Sequence, residues 1–377
     1  MDYTIFKPNY KNSILGIPNS ILAHYGAKPH HATHPILDEK FRRNYKNIVL
    51  LVLDGMGLDV LKTHAPNGFL VKNCVAQLSS VYPCTTTSAL TTFETGLTPI
   101  EHGWLGWAQY FEEIGKSVEL FTNNESGTES SVSKKPISWQ VIGYKNLFAQ
   151  IKEIDSSIEC CRVSPFGEYK CDTNEAICGH IETLCKKAGR RYIYAYHFQP
   201  DKDMHITGCY SERTKANIVL FDMQLEQLSA SLTDTLLIVT ADHGQNDTKL
   251  LCMEDYPEIW NCLCVPPTRE PRSLSLFVKD EYKNDFPAIW KKHFNESFIF
   301  MTGDEAFESA YFGTGMPHKR ARGFLGDYVA LATEDLSIWF RDEKNECPDY
   351  KGMHAGLCND EMIVPLILIE RYNRPQI

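Results

Sequence analysis

The chain has 377 residues, 43% of them hydrophobic and 23% charged, with a formal net charge of −10. That is an ordinary soluble globular composition, and no apolar run approaches the roughly 20 residues needed to span a bilayer. The negative balance argues against a long nucleic acid polymer as partner, since such binding rests on Lys and Arg neutralising phosphates, but it leaves open a small phosphorylated substrate wherever bound cations reverse the local potential.

In chain order, the amino terminus lacks a charged head followed by an unbroken apolar segment, so no secretory signal is read and a cytoplasmic location is expected. Residues 1–45 are polar, and His30, His31 and His34 read as parts of a solvated loop rather than a metal grip. Asn47–Leu53 is a continuous apolar run of the kind found in a strand buried on both faces of a parallel sheet. Gln77–Tyr82 reads as a further strand, stopped by Pro83. Further strands are expected at Val118–Phe121, Tyr192–Tyr196, Thr235–Thr240, Leu274–Val278, Tyr328–Ala332 and Val364–Ile369. Helical spacing marks Ser88–Thr95, Asn146–Glu153, Asn174–Ala188 and Ser211–Ser229. The alternation predicts an α/β protein, a three-layer α/β/α sandwich around a mainly parallel sheet. The stretch from about Thr248 to Tyr350 is long enough to form a smaller lobe inserted into a single catalytic domain spanning 1–377. Thirteen cysteines are scattered through apolar stretches, and without a signal they read as reduced, buried thiols.

The chemistry gathers at strand ends. Asp54 directly follows the first apolar run, and Asp201 and His205 follow Tyr192–Tyr196. Asp242 and His243 close Thr235–Thr240, and His354 precedes the last strand. Aspartate is a common turn residue, so any one of these means little. Together, in this order, they describe a metal site at the carboxyl edge of a sheet. Oxygen and imidazole ligands without cysteine suit zinc, or manganese where supply favours it. Between Tyr82 and Gly96 the chain passes through Cys84, Thr85, Thr86 and Thr87 into a helix. A hydroxyl there is either an ordinary N-cap or a group set beside the unpartnered N–H donors of a helix start, which favour an anion.

These residues resemble the alkaline phosphatase superfamily, and most closely its type I phosphodiesterase/nucleotide pyrophosphatase branch, with phosphonoacetate hydrolase nearby. The family's nucleophilic threonine stands three residues after a proline, with a Thr-Gly nine residues later; Pro83, Thr86 and Thr95-Gly96 match that spacing. The resemblance implies Thr86 as nucleophile and two divalent metals. One would be held by Asp201, His205 and His354, the other by Asp54, Thr86, Asp242 and His243. Where the branch carries an asparagine that holds a phosphoryl oxygen, this chain has Trp107. Trp104 and Trp107 are expected to wall the substrate pocket, and Asn123 and Asn124 are candidates to replace the missing asparagine.

The function expected is hydrolysis of phosphate esters, foremost as a phosphodiesterase or nucleotide pyrophosphatase working through a phosphothreonine, on a small phosphorylated substrate such as a nucleotide. A phosphomonoesterase, a phosphonate hydrolase or a sugar-phosphate mutase would use the same site, and a metal-binding protein without catalysis is the reading from another class. A monoesterase normally adds a cationic side chain for the third phosphoryl oxygen. No Arg or Lys occurs between Pro83 and Gly115, which leaves Arg272 and the His318–Arg322 cluster as sources of one.

Overall fold

A computed structural model of the chain describes residues 5–372. Twelve strands build its two large sheets. They are β1 Asn47–Leu53, β2 Cys74–Ser79, β3 Ala108–Phe111, β4 Lys116–Glu119, β5 Glu159–Val163 and β6 Arg191–His197, then β7 Thr235–Thr240, β8 Thr268–Glu270, β9 Ser273–Leu276, β10 Phe298–Thr302, β11 Tyr328–Ala332 and β12 Ile363–Arg371. The helices that matter here are α1 Thr86–Thr95, α2 Leu147–Ile154, α3 Asn174–Lys186, α4 Asp201–Thr207 and α5 Glu212–Ser231.

The central sheet has the order β2-β12-β7-β1-β6-β5. β7, β1, β6 and β5 run parallel, and β12 pairs antiparallel with both β7 and β2. Every residue of β1, β6 and β7 is buried, as their unbroken apolar runs require in a sheet covered on both faces. β2 lies at the sheet edge and reads half-exposed over its first residues, which blurs its start; it runs Cys74–Ser79 rather than Gln77–Tyr82. In α5, Ile218, Phe221, Leu225 and Leu228 form the buried face expected from their spacing.

Val118–Phe121, Leu274–Val278 and Tyr328–Ala332 were expected among the alternating strands and helices, and here the reading is corrected. They contribute to a second, wholly antiparallel sheet of order β10-β11-β9-β8-β3-β4. Short connections explain it, because β3 to β4 and β8 to β9 are hairpins with no room for a crossover helix. This sheet joins strands from 268–332 to β3 and β4 at 108–119.

Two further readings change. The polar stretch 1–45, to which the sequence assigns no element, contains helices Gly16–His24 and Pro35–Phe41. Their Ile17, Ile21 and Leu37, with Ile14 just before, are wholly buried in the main core. Polar neighbours dilute that apolar spacing in the sequence. His31 pairs with Glu101 at 2.5 Å and His30 with Gln150 at 2.8 Å, so these histidines do not converge. The expectation that every cysteine is reduced fails at one pair, Cys252–Cys347, joined across 95 residues of sequence, a separation that leaves no local signal.

Candidate active site

Five of the strand-end positions converge because the sheet brings those ends to one edge. Parallel register sets Leu53 of β1 beside His197 of β6, and Val52 beside Thr240 of β7. The residues that follow, Asp54, Asp201, Asp242 and His243, therefore emerge together. Backbone bonds fix the loops to each other: the Asp201 N–H donates to the Asp54 carbonyl at 3.0 Å, and the Asp54 N–H to His197 at 2.9 Å. Gly55 makes the approach possible. Its φ is +69°, and a Cβ there would lie 2.9 Å from the Asp201 Cβ. The antiparallel β12 starts beside the end of β2, Ile363 against Ser79, which brings His354 in from the other side.

The carboxylates are oriented with one oxygen occupied and one left over. Asp242 Oδ1 accepts from the backbone N–H of Gly55 at 3.1 Å and of His243 at 3.0 Å, while its buried Oδ2 has no hydrogen-bond partner among the described residues. Asp201 Oδ1 is likewise buried without one. Imidazoles are oriented from behind. His243 Nδ1 donates to the Gly244 carbonyl at 2.9 Å and His205 Nδ1 to the Gly352 carbonyl at 2.7 Å, which turns each Nε2 toward the cluster. His243 Nε2 lies 3.3 Å from Asp54 Oδ1 and 3.5 Å from Asp242 Oδ2, and the His243 and His354 rings stack at 3.9 Å. His205 Nε2 is 3.2 Å and His354 Nε2 3.8 Å from Asp201. Tyr196 donates its hydroxyl to Asp54 Oδ2.

Two overlapping groups could each hold an ion, Asp54 with Asp242 and His243, and Asp201 with His243 and His354. The shared member is His243. His205 stands against Asp201 on the outer side. The donor set fits divalent cations, because three carboxylates in one cluster, Asp54 and Asp242 buried and Asp201 nearly so, have few protein cations to balance them. Burial, and then Asp242 and Asp201 nearby, push Asp54 well above the usual carboxylate range, and burial lifts Asp242 to about 7. Burial works upward on Asp201 too, but the imidazoles of His205, His354 and His243 outweigh it and hold this acid low. For His205 burial works downward and Asp201 prevails, raising it to about 9. Burial and then His243 keep His354 well below the usual imidazole range.

Thr86 completes the floor. Thr85 is the extended residue before the helix, and Thr86 opens α1, which Gly96 closes at φ +77°. Its Oγ1 lies 3.5 and 3.4 Å from the two Asp54 oxygens and 3.3 Å from His243 Nε2. Of three neighbouring threonines only this one is turned into the cluster. Thr85 Oγ1 instead donates to Glu270 at 2.6 Å, and Thr87 Oγ1 is buried elsewhere without a partner among the described residues.

The family model for type I phosphodiesterase/nucleotide pyrophosphatase matches residues 48–356, from β1 through His354. The chain belongs to this family. No curated protein matches it. Among solved structures it is similar to human ectonucleotide pyrophosphatase/phosphodiesterase 5, with TM-score 0.62, 15% identity and coverage of 86% of this chain and 87% of that one. The murine form, in an inactive threonine-to-alanine variant in complex with AMP, gives TM-score 0.59 at 16% identity, covering 86% and 87%. Phosphonoacetate hydrolase from Sinorhizobium meliloti, in complex with phosphonoformate, gives TM-score 0.62 at 16% identity, covering 87% and 90%. These place the chain in the alkaline phosphatase-like fold, and membership with this ligand cluster makes it a metal-dependent phosphoester hydrolase.

In this phosphodiesterase-family chain the cluster opens into a cavity of about 540 Å³, bounded by Thr86, Asp201, His205 and His354 on one side. The opposite wall is the edge of the second sheet, with Trp107 before β3, Glu119 ending β4, and Arg269, Glu270 and Pro271 at β8; Trp339 and Tyr350 also line it. Trp107 lines this cavity. Trp104 does not: it is fully buried, donating its indole N–H to the Ile142 carbonyl at 2.8 Å. Asn123 and Asn124 are also corrected, since neither lines the cavity. Asn123 donates to the Ser133 carbonyl at 2.8 Å and accepts from the Ile137 N–H at 2.9 Å, holding its own loop, and Asn124 bridges to Ser131.

The arginines among the expected cations are spent as well. Arg272 is wholly buried in a bidentate pair with Glu361 at 2.6 and 2.8 Å. Arg320 pairs with Glu112 and Glu113, and Arg322 with Asp304. Sequence reasoning missed Arg269 and Glu270. Arg269 carries a φ of +74°, and its guanidinium lies 5.0 Å from the Phe312 ring with Nη2 donating to the Leu274 carbonyl. Glu270 is 3% exposed, and burial pushes its carboxyl up to about 7. A polar triplet Arg-Glu-Pro in a loop-like context carries no periodicity that could have marked either residue.

Proposed function

We propose that this chain hydrolyses phosphodiesters, with Thr86 as nucleophile and two divalent ions as cofactors, zinc or manganese by the chemistry of the donors. The observation that carries the reading is the position of Thr86 Oγ1, 3.3–3.5 Å from two residues of the candidate metal cluster at the floor of the cavity. Asp54, Asp242 and His243 with Thr86 would hold one ion, and Asp201, His205 and His354 the other, although His243 is close enough to serve both groups. Bound there, divalent cations lower the pKa of a coordinated hydroxyl and offset charge on the phosphoryl oxygens.

Thr86 Oγ, its proton lost, forms a bond to phosphorus as the bond to the leaving alcohol breaks, with inversion. Water then attacks the phosphothreonine from the opposite side, the Thr86–phosphorus bond breaks, and the hydroxyl regains a proton. α1 starts at Thr86, so its free backbone N–H groups point toward the anion that develops. Arg269, over Phe312, keeps Nε and Nη1 unpartnered among the described residues, but a diester has only two non-bridging oxygens, and the arginines the sequence offered for a third are paired, Arg272 with Glu361, Arg320 with Glu112 and Glu113, and Arg322 with Asp304. That favours the diesterase over the monoesterase. A nucleotide is one substituent of suitable size for the cavity walled by Trp107, Trp339 and Tyr350.

The test is a substrate panel on chelated protein with zinc or manganese restored. Bis-p-nitrophenyl phosphate or a nucleotide p-nitrophenyl ester should be cleaved with higher kcat/KM than p-nitrophenyl phosphate at matched pH. A consistent monoester preference would overturn the diesterase reading.

A further inference from the structure

Glu270 is the one buried acid of the cavity wall, and it touches both sides of the site. Its Oε1 accepts from Thr85 Oγ1 at 2.6 Å and from the Trp107 backbone N–H at 2.6 Å. Thr85 is the residue before the proposed nucleophile, and Trp107 stands where the family's phosphoryl-binding asparagine is expected. The side chain therefore ties the start of α1 to the second sheet, and every hydrogen bond it makes falls on one of its two oxygens.

The other oxygen belongs to a residue that lines the same cavity as Thr86. No ion pair closes on it among the described residues, and Arg269 beside it offsets its charge less than burial penalises it. Arg269, its neighbour, stacks its guanidinium on Phe312, and Lys202 sets its ammonium 5.4 Å from the Phe198 ring. A fixed negative group in a partly dehydrated cavity repels further negative charge more strongly than it would in water. A phosphomonoester brings a dianion to phosphorus, whereas a diester brings a monoanion.

We propose that Glu270 is a specificity-determining residue, whose free carboxyl oxygen faces the phosphoryl group and bars the third anionic oxygen of a monoester. This rests on the diesterase reading above. It explains how a site that lost the asparagine still prefers one class of ester: the position gains a discriminating charge in place of a binding amide. The bonds to Thr85 and Trp107 hold that charge in place, so the same contacts that shape the nucleophile turn also aim the barrier.

The experiment uses Glu270→Gln in the full metal-loaded chain, at a pH of about 8.5 so that the parent carboxyl is ionised. The amide oxygen keeps both hydrogen bonds, and an N–H₂ donor replaces the charged oxygen. The ratio of kcat/KM for bis-p-nitrophenyl phosphate to that for p-nitrophenyl phosphate should fall about tenfold or more, chiefly through a faster monoester reaction. A purely structural role would slow both reactions together, and that result, or an unmoved ratio, overturns the proposal. Glu270→Ala is the second variant should Gln fold poorly; it removes the charge without adding a donor and should shift the ratio the same way by less. Inorganic phosphate, bound by calorimetry to the metal-loaded parent and variant, gives a readout without turnover and should bind the variant about tenfold tighter. If the parent cleaves neither ester, the hydrolase reading has failed, and phosphate affinity still decides the role of Glu270: unchanged affinity overturns it.

Discussion

The floor and the wall of the cavity are made in different ways. The floor is a set of carboxylates and imidazoles at the ends of parallel strands, each held from behind by backbone groups, as Asp242 is by the N–H groups of Gly55 and His243. The wall is the edge of an antiparallel sheet, and its residues reach the cavity through hairpins and loops, as Trp107, Glu119 and Glu270 do. A floor of that kind can fix the chemistry, because its geometry follows from the register of a buried sheet. A wall built from an edge can change without disturbing that register, so it is where substrate choice is expected to reside.

The largest effect should come from the floor. Thr86→Ala should lower kcat on bis-p-nitrophenyl phosphate by a factor on the order of 10⁴ or more, as loss of a nucleophile does. Its circular dichroism and metal content should stay close to the parent's, since one small hydroxyl is removed. Thr85→Ala, which only releases Glu270, should retain most activity. Equal losses in the two variants would break the distinction between a nucleophile and a support.

Metal removal comes next. Elemental analysis should find close to two divalent ions per chain, and chelation should lower both activity and the unfolding temperature, because Asp54 and Asp242 are then left buried together without a counter-ion. Ligand binding at about a thousand times Kd stabilises a fold by about 4 kcal/mol, so the shift should be easily measured. His243→Ala should lose more metal than His205→Ala, since His243 belongs to both groups and His205 stands outside them.

Behind the wall lies a buried pair for contrast. Arg272→Met would leave Glu361 as an unpaired charge in a wholly buried pair, costing about 3–5 kcal/mol by denaturant titration. It should leave the ratio of diester to monoester kcat/KM where it was, because the guanidinium is spent on Glu361 and the carbonyls of Glu334 and Leu336. A moved ratio would restore Arg272 as a phosphate-binding group.

The same division governs what the sequence reveals. Asp54, Asp201, Asp242, His243 and His354 are legible because each adjoins an apolar run whose place in a parallel sheet follows from its own composition. Thr86 needed the spacing from Pro83 to Thr95-Gly96, since three adjacent threonines look alike until the helix start turns one of them inward. Glu270 and Arg269 were invisible because nothing local to them says that β8 will pair with β3, 161 residues earlier in the register Arg269 to Ala108. Trp104 and Trp107 differ in the same sense. Both adjoin the nucleophile stretch, but only the packing of Trp104 on Trp139 and Tyr144 shows that it belongs to a core. Long-range antiparallel pairing, not weak motif chemistry, separates the readable half of the site from the unreadable half.

The smallest effect is expected at Asn123, and it tests whether the wall has been drawn in the right place. Its backbone sits at φ +60°, a region where asparagine is tolerated far better than alanine. The side chain closes its loop onto Ser133 and Ile137. Asn123→Ala should therefore lose both the local bonds and the favourable backbone, about 2 kcal/mol in all. Asn123→Gly keeps the backbone conformation and should recover about half of that loss. Neither variant should change kcat or KM on bis-p-nitrophenyl phosphate at a temperature well below unfolding. If Asn123→Gly, stable enough to assay, loses kcat while its metal content is intact, then this loop reaches the phosphoryl group in the working enzyme. The asparagine would then belong to the site and the division between floor and wall would have to be redrawn around it.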